Sequence, residues 1–183
     1  MNILDVLTMI PIFLVGISMK HIALTCAIFF IGICGMIHHY HIDNMCLLYL
    51  DIIAIGIGIS AYTYYSKIDT KVKPFLYIIE SLVIAGLFAN MVANVKYEHR
   101  ELLIAISCIW LPNILFSIKW LSNLTIGLTS VFIILYMYSR CVYMDHEYCN
   151  FIWPALHICL FATLYLSFRD MDMLRPNVLL KYL

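Results

Sequence analysis

Three histidines fall within four positions at the end of an apolar run: His38, His39 and His41. Asp51 follows about six residues inside the next apolar run, and His157 lies in the last run. Imidazole and carboxylate groups hold zinc in proteins, and they also carry protons through hydrogen-bonded networks. A carboxylate in hydrocarbon costs about 2.5–3.5 kcal/mol even on a lenient insertion scale, so Asp51 should face a partner inside the protein. The pattern therefore predicts either a metal site or a proton network.

Each of these groups also has a simpler interpretation. Histidines in loops are commonly solvated, which is the expectation for His41 and for two further histidines, His99 and His146. Asp51 could act only as a polar contact between helices, and His157 could be a core histidine that is bonded to one neighbour. Both interpretations stay open at the level of the sequence.

The elements that must position these residues are membrane helices, as the composition indicates. Hydrophobic residues make up 64% of the chain and charged residues 12%, and the mean hydropathy is +0.94. A soluble domain has roughly 25% charged residues. The sequence therefore predicts an integral membrane protein, in the plasma membrane or an endomembrane. Its formal net charge of zero argues against nucleic acid as a partner.

Seven apolar runs approach or exceed the length of about 20 residues that crosses a membrane. The joints near residues 20 and 120 are so short that either could conceal a single broken helix, and six spans is the alternative count. The predicted spans cover residues 3–19, 21–38, 45–65, 74–94, 101–119, 121–139 and 150–168. They form one domain over residues 1–183, an all-α bundle of seven transmembrane helices.

Basic residues predict the orientation of that bundle. Three of them lie on the face of the N-terminus, whereas eight lie on the face of the C-terminus. Because cytoplasmic loops are rich in Lys and Arg, the C-terminus should be cytoplasmic and the N-terminus outside. The eight residues are Lys20, Lys67, Lys71, Lys73, Lys119, Arg169, Arg175 and Lys181.

Three spans bring candidate residues to one level of the outer leaflet in this topology. His38 and His39 end span 2 there, Asp51 lies about 9 Å into span 3 at 1.5 Å per residue, and His157 enters span 7 from the same face. Glu80 lies in span 4, in the opposite half of the membrane. It could pair with Asn113 or a lysine stem, or line a cavity, and the sequence leaves its role open.

The motifs at these positions resemble a known superfamily. It contains the alkaline ceramidases, the progestin and adiponectin receptors with the hemolysin III proteins, and the relatives of myomaker. "CGMIHH" is similar to its S-x-x-x-H motif in span 2, with Cys34 in place of the serine and His38 as the histidine. "LDIIAIGIGIS" resembles the span 3 that contains Asp51. "WPALHICLFATLYL" resembles the H-x-x-x-H helix of span 7, with Trp153 before His157.

The resemblance implies a zinc-dependent hydrolase that acts on a lipid amide such as ceramide. His38 and His157 would bind the zinc ion, with a third ligand from His39 or His41, or from His146. Asp51 and Cys34 would take the places of the residues that position the metal-bound water. Membrane lipids would be the partners and substrates.

Trp153 at the place of the first span 7 histidine departs from the family's pattern, and a catalytic zinc needs three protein ligands. The expected function is therefore a lipid amide hydrolase-like protein with an incomplete zinc site, and whether it is an enzyme stays open. One alternative is a non-catalytic seven-span protein that binds lipid, acts like a receptor or remodels membranes. A further alternative is a proton-coupled transporter.

Overall fold

A computed structural model of the chain describes residues 3–41, 44–96, 99–142 and 152–176. Within these ranges the chain is helical apart from its joints, and the one pairing of extended backbone is an isolated bridge between Met19 and Leu174. A 3-10 turn, Ile118–Trp120, follows the sixth helix. The described α-helices are α1 Ile3–Thr8, α2 Ile10–Ile17, α3 Ile22–Tyr40, α4 Met45–Tyr65, α5 Lys73–Val92, α6 His99–Ser117, α7 Asn123–Val142 and α8 Ile152–Asp170.

Helices α3 to α8 follow the apolar runs of the sequence to within three residues at each end. Local capping explains two of the starts. The side-chain oxygen of Asn44 accepts hydrogen bonds from the backbone N–H groups of Cys46 and Leu47, at 3.0 and 3.3 Å, and so caps α4. Pro74 lies in the first turn of α5, where its missing N–H costs nothing.

The first predicted span, residues 3–19, is two helices rather than one. Helix α1 ends at Thr8 and α2 begins at Ile10. Pro11 lies in the first turn of α2 and has no N–H to donate to the carbonyl four residues earlier, so the helical hydrogen-bond ladder is interrupted here. The two short joints near residues 20 and 120 are real breaks, since each separates two helices.

Three described helices, α3, α4 and α5, are long and apolar enough to cross a membrane. Shorter apolar stretches cover residues 6–17, 104–120 and 123–136. Large apolar side chains point outward: Ile22, Leu82 and Ile134 are 76%, 69% and 66% exposed. Helices that are apolar on their outer faces suit lipid rather than water as their surroundings.

Two groups of buried side chains form the core. The first joins α2, α3, α8 and the segment after α8, and the second joins α4, α5 and α6. Helices α3 and α4 pack against each other and connect the two groups. The first group contains Met9, Ile12, Val15, Met19, Leu24, Ile28, Phe161, Phe168, Met171 and Met173. The second contains Leu48, Tyr49, Ile52, Ile53, Leu87, Leu102, Ile106 and Ile109.

Asp170 is the last residue of α8, and its side chain contacts the start of α7. Together with Ser122, Thr125 and Arg169 it forms the aspartate cluster. Its carboxylate accepts hydrogen bonds from Thr125 Oγ1 at 2.5 Å and from the Ser122 N–H at 2.8 Å. Arg169 pairs with it at 2.9 Å. Burial opposes the charge of Asp170, but these hydrogen bonds outweigh burial and lower the pKa of the carboxyl to about 2.

The segment after α8 returns to the joint between α2 and α3 at the same end of the bundle. The backbone N–H of Lys20 donates to the Met173 carbonyl, and that of Arg175 donates to the Ser18 carbonyl, both at 2.8 Å. These two bonds form the isolated bridge and satisfy backbone groups that the helix ends leave open. The two backbone hydrogen bonds therefore hold the segment after α8 against the joint between α2 and α3.

Candidate functional site

His38, His39 and His157, called here the histidine cluster, meet at the end of the bundle opposite to the aspartate cluster. His38 and His39 lie in the last turn of α3, and His157 lies in the second turn of α8. The ring centroids of His39 and His157 are 5.1 Å apart, and those of His38 and His39 are 5.3 Å apart. His38 and His157 are 4% and 7% exposed. Histidines from the predicted spans 2 and 7 therefore come together.

Thr8 joins the histidine cluster from α1. Its hydroxyl oxygen lies 2.9 Å from Nδ1 of His157, and the donor depends on which imidazole nitrogen carries the proton. Phe161, one turn further along α8, stacks with His157, and their ring centroids are 6.1 Å apart. The sequence interpretation missed Thr8. The signal that could have found it is a hydroxyl within the first apolar run, near the end of its outer half.

Asp51 lies beside α3, one turn below the histidine cluster. It is partly buried in the second turn of α4. A Cβ built on Gly35 would come within 3.3 Å of Asp51 Oδ1, so the carboxylate rests against the backbone of α3 where a side chain is missing. Cys34 is 3% exposed and precedes Gly35, the residue against which Asp51 rests. The structure therefore brings Asp51 and Cys34 together, and both belong to the level below His38.

Two other predicted zinc ligands, His41 and His146, are not part of the histidine cluster as the structure describes it. His41 is exposed just past the end of α3, where its ring meets Tyr40 edge to face with centroids 4.7 Å apart. It therefore lies at the rim of the site and not among the buried histidines. His146 falls outside the described residues, and the side chain of Trp153 is also outside them.

The ring spacing in the histidine cluster is close to that of zinc ligands, but the described donors do not complete a metal site. Two imidazoles on one tetrahedral zinc place their ring centroids about 5.2 Å apart, given Zn–N bonds of about 2.0–2.1 Å. The 5.1 Å between His39 and His157 and the 5.3 Å between His38 and His39 both lie close to this spacing. Within the described residues, however, no three side chains of the His, Cys, Asp and Glu types converge as a metal site would require. The described residues therefore do not supply the three protein ligands that a catalytic zinc ion needs.

An apolar groove lies between α1 and α3, at the same end of the bundle as the histidine cluster. Its volume is about 250 Å³, and Val6, Met36, Ile37, Tyr40 and His41 line it. Pockets for small molecules are typically about 300–1,000 Å³, so this groove suits part of an acyl chain rather than a whole lipid. The helices that form the groove are the two that supply Thr8, His38 and His39.

Glu80 belongs to a separate polar group. Thr63 of α4 and Asn113 of α6 surround its carboxyl, and all three side chains are no more than 2% exposed. Asn113 is one of the partners that the sequence interpretation left open, while Thr63 was missed.

Comparison of the chain with known protein families, with curated protein sequences and with solved structures finds no match.

Proposed function

We propose that this protein is a seven-span membrane protein that binds an amide-containing lipid, such as a ceramide, without hydrolysing it. The observation that carries the proposal is a group of polar side chains, the histidine cluster with Thr8 and Asp51, at the same end of the bundle as an apolar groove. His38 and His157 of this group are buried. Polar groups inside membrane segments are costly and commonly mark a substrate pathway or binding site.

The chemistry of the site suits the polar part of such a lipid. Neutral imidazole has one N–H donor and one acceptor, and a carboxyl group accepts hydrogen bonds from hydroxyl and amide groups. A ceramide-like lipid offers hydroxyl, N–H and carbonyl groups close together, next to two apolar chains. His39 and Asp51 would bind those polar groups, while Met36 and Ile37 would contact one chain.

The topology of the proposal has the N-terminus outside and the C-terminus in the cytoplasm. Support comes from the three long apolar helices, the outward apolar side chains and the excess of basic residues on one face. The histidine cluster would then lie toward the outer leaflet of the plasma membrane or of an endomembrane. A lipid would reach it sideways, through the groove between α1 and α3.

One observation favours a second candidate, the zinc-dependent lipid amide hydrolase that the motifs resemble. The spacing of His39 and His157 matches that of two zinc ligands. A third ligand would have to come from His146 or another residue outside the described ranges. The donors among the described residues do not complete the metal site that this reaction needs.

The test is photolabelling with a ceramide analogue that bears a photoreactive acyl chain, in protein reconstituted into lipid nanodiscs. Met36→Trp fills the groove beside the histidine cluster. Met91→Trp makes the same change in a second groove, of about 190 Å³, which residues of α4, α5 and the joint after α5 line. We expect Met36→Trp to lower labelling several-fold and Met91→Trp to leave it unchanged.

Mass spectrometry of the labelled peptides completes this experiment. The proposal expects label on the peptide that contains Met36 and Tyr40, and less label after His157→Ala. Equal labelling of the parent and Met36→Trp proteins, or label spread evenly over the outer faces of all helices, would reject the proposed binding site. Release of a free fatty acid from the unmodified analogue would instead identify the hydrolase.

A further inference from the structure

A second polar site lies inside the bundle, where α4, α5 and α6 meet, and the proposed lipid site does not use it. Glu80 Oε1 lies 2.6 Å from Thr63 Oγ1 and 2.8 Å from Asn113 Nδ2. Asn113 Oδ1 lies 2.7 Å from the same Thr63 hydroxyl. Glu80, Thr63 and Asn113 are 1%, 0% and 2% exposed, and they are called here the carboxyl triad.

The orientation of the Asn113 amide follows from its neighbours. Its Nδ2 lies 2.9 Å from the Ile109 carbonyl, which can only accept a hydrogen bond. Turning the amide over would place Oδ1 against that carbonyl oxygen, and two acceptors would then face each other. The amide therefore donates to Ile109 and Glu80, and its oxygen needs a donor from elsewhere. The Thr63 hydroxyl is the group within reach.

The number of protons available around Thr63 determines whether Glu80 is protonated. The Thr63 hydroxyl has one proton, and three acceptors surround it: Asn113 Oδ1, Glu80 Oε1 and, at 3.0 Å, the Ile59 carbonyl. If Thr63 donates to Asn113, the 2.6 Å contact between Thr63 Oγ1 and Glu80 Oε1 needs a second proton. The carboxyl group of Glu80 is the remaining source of that proton.

The second carboxyl oxygen supports the same assignment. Glu80 Oε2 is buried and has no hydrogen-bond partner among the described residues. A negative charge shared with a bare oxygen in this apolar surrounding would be far more costly than a neutral acid. None of the ion pairs between described residues includes Glu80, and Lys73 at the start of its own helix donates to the carbonyls of Tyr64 and Ser66 instead.

We propose that the carboxyl triad is a proton-binding site, in which Glu80 is a neutral acid that donates to Thr63. The groups that face it are Thr63 from α4, Asn113 from α6 and Tyr77, one turn earlier on α5. Loss of the proton would force Thr63 to donate to Glu80 and would leave the buried oxygen of Asn113 without its donor. The bound proton thus links three helices, one of which also carries Asp51.

Infrared spectroscopy tests the proton directly, because a neutral carboxylic acid has a carbonyl stretch that a carboxylate lacks. The sample is the full chain in lipid nanodiscs at neutral pH, with and without ¹³C-labelled glutamate, which shifts glutamate bands and leaves aspartate bands in place. We expect an acid band that responds to the label, disappears in Glu80→Gln and remains in Glu101→Gln, the same chemical change near the start of α6.

Thr63→Val gives a second test that does not depend on the folding of the Glu80 variant. It removes the acceptor of the Glu80 proton, so the acid band should move to higher frequency and stay present. An ionised Glu80 predicts no label-sensitive acid band in the parent protein at all. Absence of that band, or its persistence in Glu80→Gln, would overturn the assignment.

Discussion

The two ends of this bundle use polar residues in different ways. At one end, the carboxylate of Asp170 accepts short, charge-assisted hydrogen bonds from its neighbours, and two backbone bonds fasten the adjoining joints. At the other end, the histidine cluster brings three ionisable rings together at 5.1–5.3 Å, and two of them are almost fully buried. The aspartate cluster has hydrogen bonds that stabilise the bundle. The histidine cluster instead places several hydrogen-bond donors and acceptors close together, as the proposed binding site would need.

The largest expected effect is the loss of the aspartate cluster in Asp170→Ala. Hydrogen bonds to charged groups contribute about 1.5–3 kcal/mol each, so we expect a loss of about 3 kcal/mol in the free energy of unfolding. Thermal unfolding in detergent measures it. Asp172→Asn is the control, since Asp172 pairs with Lys67 but its side chain is 71% exposed, and asparagine tolerates the positive φ of 59° at this position. Equal effects of the two variants would show that the aspartate cluster does not stabilise the bundle.

Acid should weaken the same end of the molecule. The folded-state pKa of Asp170 is about 2, below the unfolded value near 3.8, so its contribution is complete above about pH 4 and is lost as the pH falls toward 2. The difference in unfolding temperature between the parent protein and Asp170→Asn should therefore narrow over this range. An unperturbed aspartate titrates between about pH 5 and about pH 2. If the difference in unfolding temperature stayed constant over this range, the lowered pKa of Asp170 would be contradicted.

Thr8→Val tests the histidine end, where the expected loss of stability is smaller. It removes the hydroxyl that lies 2.9 Å from His157 Nδ1, and a single hydrogen bond contributes about 1 kcal/mol. Ser130→Ala, which removes an exposed hydroxyl on α7, should change the unfolding temperature less. Thr8→Val should also lower labelling by the ceramide analogue, because His157 loses its fixed orientation. Unchanged labelling would mean that Thr8 does not support the binding site.

Two Gly→Ala variants should give the smallest effects, with opposite signs. Gly127 on α7 has open space where a Cβ would lie, so alanine should stabilise the helix by about 0.5–1 kcal/mol. Alanine at Gly35 would press on the side chain of Met9 and on Asp51 Oδ1, so a loss within about 1 kcal/mol is expected. Unfolding temperatures of the two variants check this difference. A gain in both would show that α3 and α4 are not closely packed at Gly35.

The sequence predicts much of this fold because apolar runs and polar joints are visible in it without any knowledge of packing. Helix α4 covers residues 45–65 as predicted, and the meeting of His39 with His157 follows from the order and direction of the helices. The break at Met9 was missed because the run is apolar on both sides of it, although Pro11 was a signal for it.

Partners across helices are harder to predict, since they depend on how each helix is rotated about its axis. Thr8 beside His157 and Thr63 beside Glu80 are examples, and neither follows from spacing along the chain. Asp170 is similar, because its partners Ser122 and Thr125 lie almost fifty residues away in the sequence. Contacts of this kind require the packed structure.

The most direct measurement is the metal content of the purified protein, by plasma mass spectrometry, beside His157→Ala and Asp51→Ala. If the histidine cluster is a lipid-binding site with too few zinc ligands, as proposed, zinc should be well below one atom per chain in all three proteins. Zinc near one atom per chain in the parent, lost in His157→Ala, would contradict it and would establish a metal centre of the hydrolase type.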